Sequence, residues 1–180
     1  MSRIGKKPIE IPEKVAVEVN ARAVKVKGPK GELNWEFPGK ISVSVNGNVV
    51  SVGRSGDTKN ERALHGLTRS IISNMVTGVS QGYQKVLDIV GVGYKAQVAG
   101  DKIMFTLGYS HPVEFNLPAG IKASVDPKQI QITLTGTDKQ QIGQVAASLK
   151  TLRRPDAYKG KGIRYAGERL KLKVGKAGKK

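Results

Sequence analysis

Trp35-Glu36-Phe37-Pro38-Gly39-Lys40-Ile41-Ser42-Val43-Ser44-Val45 returns 80 residues later as Phe115-Asn116-Leu117-Pro118-Ala119-Gly120-Ile121-Lys122-Ala123-Ser124-Val125. Upstream, Gly28 matches Gly108; downstream, Gly56 and Lys59 match Gly136 and Lys139 at the same offset. An apolar-Pro-x-x-Ile block held in register with flanking glycines is improbable as chance, so the chain reads as one unit built twice.

Working outward from that block, each copy reads as several strands followed by one helix. In the first copy, residues 15–20, 22–27, 32–37, 41–45 and 49–52 alternate or are rich in β-branched side chains. Asn46-Gly47 between the last two signals a hairpin with a type I′ turn, which needs positive φ at both central residues. Thr58-x-x-Glu61 is a capping box, and Leu64, Leu67, Ile71 and Met75 follow at helical spacing. Gly78 is the expected C-terminal stop. In the second copy, residues 85–90, 94–98, 102–107, 113–117, 121–125 and 129–135 read as strands. Thr137 or Asp138 caps a helix carrying Ile142, Val145, Ala146, Leu149 and Leu152 on one face, and Pro155 cannot continue it. The fold expected is α+β, two tandem domains, each an antiparallel sheet covered by one helix. Residues 1–82 form the N-terminal domain, 83–175 the C-terminal domain and 176–180 a basic tail, with the boundary near Gly78–Gly82.

The 180 residues hold 31 Lys+Arg against 14 Asp+Glu, a formal net charge of +17. Residues 1–82 account for +6, 83–152 for +2, and 153–180, with 11 basic and two acidic side chains, for +9. A concentrated block points to a docking surface for a polyanion rather than to general solubility. Zero cysteines exclude a disulfide scaffold, a thiolate metal site and a Cys nucleophile. The N-terminus carries positive charge with no apolar run behind it, and no window approaches the ~20 apolar residues of a membrane span. A basic protein of the cytoplasm is the expectation.

Candidates for catalysis are few. His65 lies in the first helix and His111 in a Ser-His-Pro loop, each without a second His at metal-ligand spacing, so both read as structural and no metal site is expected. Gly91-Val92-Gly93-Tyr94-Lys95-Ala96 imitates a dinucleotide fingerprint, but the residues after it alternate as a strand instead of opening a helix. A turn between strands is the better reading. No cofactor and no small-molecule substrate are expected, and the chain does not read as an enzyme.

The informative stretch is Arg153-Arg154-Pro155-Asp156-Ala157-Tyr158-Lys159-Gly160-Lys161-Gly162-Ile163-Arg164-Tyr165. Arginine and lysine neutralise phosphates and release counterions. Gly160 and Gly162 would let the backbone approach phosphate oxygens and present N–H groups. Tyr158 and Tyr165 could stack on splayed bases. Leu170-Lys171-Leu172-Lys173-Val174 alternates, so as a strand it would bury its apolar face and aim Lys171 and Lys173 at the ligand. Lys176 opens a tail expected to order only on binding. An RNA-gripping enzyme and a free-standing nucleic-acid regulator remain the rival readings.

Residues 155–163 resemble the signature of the bacterial large-subunit ribosomal protein number six family (uL6 type). So do Ser2–Pro8, Asn60–Ser70, Gly91–Tyr94, Gly108–Val113 and Gly167–Lys173, in family order across essentially the whole chain. Ala157 departs from the Pro expected in many members. The resemblance implies two domains of duplicated α+β fold bound to 23S rRNA near the stalk base and the sarcin–ricin, factor-binding region. It implies neighbouring large-subunit ribosomal proteins as partners, with translation factors as transient ones and no membrane. It also implies that Tyr158, Lys159, Gly160, Lys161, Gly162 and Arg164 make rRNA contacts, with Ser110 and His111 as further candidates in the matching loop.

Overall fold

A computed structural model describes residues Ile4–Lys176. The chain divides into two compact units: one holds residues through Tyr83 with Thr137–Lys139, the other Gln84–Gly136 and the chain from Gln140 onward. The class is α+β and the architecture is duplicated, but each unit contains two sheets, where one was expected.

In the first unit, β1 (Ile9–Glu10), β5 (Ile41–Asn46) and β6 (Val49–Arg54) form a sheet in the order β1-β6-β5. The strands β2 (Ala16–Asn20), β3 (Ala23–Gly28) and β4 (Gly31–Glu36) form a second sheet in chain order. Helix α1 (Lys59–Ser80) packs against β3 to β6. Alternation decides which face is buried: Val24 and Val26 turn inward with Ile41 and Val50, meeting Ile72, Val76 and Val79 of the helix.

The capping box forms as read. Thr58 Oγ1 accepts the Glu61 N–H at 3.3 Å, and Glu61 Oε2 accepts the Thr58 N–H at 3.0 Å. Two local details differ. Gly78 does not stop α1; it is buried inside the last turns, and Gly82, at φ +76°, is the glycine that ends the helix. In the β5–β6 hairpin, Asn46 pairs with Val49, so the turn residues are Gly47 and Asn48. Of these two only Gly47 takes positive φ, +58°, which is the requirement of a II′ turn and not of the expected I′. Pairing of the flanking strands set the register one residue later than the dipeptide suggested.

The second unit repeats the plan with β7 (Tyr83–Val90), β8 (Lys95–Ala99), β9 (Lys102–Thr106), β10 (Val113–Asn116), β11 (Ile121–Val125), β12 (Gln131–Gly136) and α2 (Lys139–Leu152). One sheet runs β10-β9-β8, the other β11-β12-β7, matching β4-β3-β2 and β5-β6-β1. Its buried residues include Leu87, Ile103, Phe105, Ile132 and Leu134 from strands and Ile142, Val145 and Leu149 from α2. The fingerprint-like Gly91–Tyr94 is a turn between β7 and β8, with Gly93 at φ +76°.

Among the described residues, one element has no counterpart in the first unit. β13 (Gly162–Tyr165) adds to the edge of β7, pairing Ile163 with Ile89 and Arg164 with Asp88. Part of the basic stretch read as an RNA-binding segment is therefore a strand. By contrast, the expected strand at 170–174 is absent; that segment is irregular, with Leu172 54% and Val174 79% exposed, so its apolar face is not buried. It has one backbone anchor to the loop, Lys173 N–H donating to the Ala157 carbonyl at 2.8 Å. Residues 177–180 of the expected basic tail lie outside the described residues.

Candidate nucleic-acid interface

α2 ends at Leu152, and the chain turns out through Arg153 and Arg154 before returning as β13. Two backbone bonds close this excursion: Ile163 N–H to the Arg153 carbonyl (2.8 Å) and Asp156 N–H to the Lys161 carbonyl (2.9 Å). Inside it, Gly160 N–H donates to the Asp156 carbonyl at 3.0 Å. The Asp156 carboxylate then accepts the N–H groups of Tyr158 (3.1 Å) and Lys159 (2.8 Å). Those amides, that of Lys159 foremost, hold the Asp156 carboxyl below its usual range.

Gly160 and Gly162 are placed differently from the expectation. Both are buried. A Cβ on Gly162 would stand 2.7 Å from the carbonyl oxygens of Arg153 and Arg154, and one on Gly160 would meet Leu170 at 3.3 Å. Their missing side chains let this chain approach itself, and the N–H groups of Tyr158, Lys159 and Gly160 are spent on Asp156. This loop presents side chains on its outer surface. Tyr158, 57% exposed, and the exposed Lys159 and Lys161 stand on its outer surface.

The two tyrosines separate. Tyr158 is open, whereas Tyr165 is half-buried, with the Lys150 and Lys85 ammonium groups 4.8 Å and 5.6 Å from its ring centroid. Its N–H donates to Glu168 Oε2 at 3.1 Å, and Glu168 pairs with Lys150 at 2.6 Å. The Lys150 hydrogen bond, and after it the Tyr165 amide, lower the Glu168 pKa. Asp156 and Glu168, the two acids of the 153–180 block, are thus both engaged in folding it.

Arg164 is half-buried on β13, its Nε buried without a hydrogen-bond partner among the described residues. Arg153 lies 4.9 Å from the Tyr109 ring centroid, and Tyr109 Oη donates to the Leu152 carbonyl at 2.9 Å. That contact sets the Gly108–Pro112 loop, with exposed Ser110 and His111, beside the start of the basic excursion. Arg154, Lys171, Lys173 and Lys176 are exposed, as is Arg169, which no motif reading singled out although the charge count contained it. Among the described residues, none of the cations from Arg153 to Lys176 forms an ion pair. In the first unit, Lys25 and Lys27 share Glu32, and Arg54 pairs with Asp57.

His65 has a structural position. Its Nε2 lies 2.9 Å from the Val52 carbonyl and its Nδ1 3.1 Å from the Arg54 guanidinium. A guanidinium can only donate, so Nδ1 accepts and Nε2 carries the proton. Among the described residues no group of three His, Asp or Glu is placed to hold a metal, and no helix is long and apolar enough to cross a membrane.

A duplicated α+β scaffold whose basic block engages its two acids in its own fold, and leaves its cations without ion pairs among the described residues, defines a basic scaffold protein. The family model described as Ribosomal protein L6 matches residues 11–82 and 90–166, one match in each copy of the repeat. The chain is 61% identical to the large ribosomal subunit protein uL6 of Thermodesulfovibrio yellowstonii over the full length of both. It is 52% identical to that of Listeria welshimeri over 99% of this chain and 100% of the relative. With uL6 of Caldicellulosiruptor saccharolyticus the identity is 53%, over 99% of this chain and 98% of the relative. The chain belongs to the ribosomal protein L6 family.

Proposed function

We propose that this protein is a structural component of the large ribosomal subunit that binds 23S rRNA mainly through its second unit, stabilising rRNA tertiary structure. The carrying observation is the Asp156-folded loop, which leaves Tyr158 exposed, and Lys159 and Lys161 exposed and without ion pairs among the described residues, within the +9 block. Arg153, Arg154, Arg164, Lys171, Lys173 and Lys176 extend the cationic surface, and Ser110 and His111 border it. Recognition is by backbone charge and shape, with Tyr158 available to stack on an unpaired base. Gly160, Gly162 and Tyr165 serve the same surface from beneath, by shaping it. In keeping with the resemblance, the binding site is near the stalk base and the sarcin–ricin region, beside neighbouring subunit proteins and within reach of translation factors. Chemical footprinting of 23S rRNA with and without the protein tests this. Protection confined to the sarcin–ricin and stalk-base helices is expected; protection elsewhere, or none, would refute it.

A further inference from the structure

We propose that Asp156, an acid in the middle of a cationic surface, raises affinity for RNA by positioning the residues that touch it. The inference deepens the functional reading above and rests on it. A carboxylate beside bound phosphates should oppose binding, because like charges repel. The geometry gives it another task. Oδ2 gathers the N–H groups of Tyr158 and Lys159, and the Asp156 backbone separately bonds Lys161 and Gly160. This is an Asx-type turn, in which a side-chain oxygen replaces a backbone acceptor and fixes the residues two and three positions on. It holds Tyr158 and Lys159, both exposed and with little else to order them, in one presentation. RNA then meets a loop whose ordering cost is already met within the protein. The amides also surround the carboxylate with positive dipole ends, which moderates its repulsion of a phosphate.

Two effects of opposite sign are thus attached to one side chain, and substitution separates them. Asp156→Ala removes both the charge and the acceptor, whereas Asp156→Asn removes the charge and keeps an acceptor oxygen. The full-length chain, both variants and a Lys159→Ala/Lys161→Ala double variant are titrated with in-vitro transcribed 23S rRNA at fixed salt. Circular dichroism melts verify that each variant folds, as the Asp156 N–H to Lys161 bond does not need the side chain. D156A binds about fivefold more weakly than the parent, the size expected for loss of a capping oxygen, and D156N stays within about twofold. The amide proton resonances of Tyr158 and Lys159 shift in D156A and hold in D156N. Equal or tighter binding by D156A overturns the proposal, as does an equal loss in D156N. If the lysine double variant binds as the parent does, the loop is not the RNA contact, and the functional reading fails with it.

Discussion

The Ile163 N–H and the Arg153 carbonyl, 2.8 Å apart, close the chain's most basic excursion at its neck. The two chain segments of that neck approach so closely because one of them carries Gly162 at the point of contact. It holds φ +144°, and any Cβ there would meet two carbonyl oxygens at 2.7 Å. Gly162→Ala is therefore expected to cost about 1–3 kcal/mol through backbone strain alone. Thermal unfolding measures it, and rRNA affinity falls with it because the loop loses its base. An Ala variant as stable as the parent would contradict the packing described.

Lys159 and Lys161 project outward without ion-pair partners among the described residues. Replacing both with Ala lowers rRNA affinity and reduces the slope of log K against log salt by about 1–2 units. A salt series of binding titrations reads this directly; an unchanged slope would mean that these lysines stay solvated.

Thr58 and Glu61 cap α1 reciprocally, so Thr58→Ala costs about 1 kcal/mol in stability. The Thr58 hydroxyl, and after it the Thr58 amide, depress the Glu61 pKa. Because the folded value lies below the unfolded one, this contribution is complete above the unfolded pKa of Glu61. It is lost as pH falls through the lower, folded value. Denaturant unfolding across the acid range is then steeper in pH for the parent than for T58A.

His65 is fixed between Arg54 and the Val52 carbonyl, with Gly5 against its ring. Imidazole nitrogen shifts report the Nε2–H tautomer. Gly5→Ala places a Cβ about 2.5 Å from Nδ1 and lowers the unfolding temperature of the first unit. Unchanged melting would show that the ring can move aside.

Ala21 occupies φ +42° in the β2–β3 turn, where the corresponding β8–β9 turn has Gly100 at +60°. Ala21→Gly relieves a left-handed alanine at some entropic cost, a net gain of about 0.5 kcal/mol. The midpoint of a chemical denaturation curve resolves a change of that size.

By itself, the sequence determined the features that depend on near neighbours or on exact recurrence. The 80-residue repeat established the duplication, and alternation placed most strands to within a residue or two. Thr58 and Glu61 announced the start of α1, and the partition of charge located the cationic surface. The tertiary structure decided what depends on distant partners. β1, two residues long, exists because Val49 and Val50 pair with it, and β13 because Ile163 lies buried beside Ile89. Residues 170–174 alternate as a strand should, yet gain one backbone bond and no ladder. Alternation sets which side a residue can face, while pairing requires a free edge in register. Composition likewise named the glycines and acids of the 153–168 stretch without their tasks. Whether a glycine leaves its space open or yields it to the chain itself, and whether an acid stands free or folds a loop, is set by what the fold places beside it.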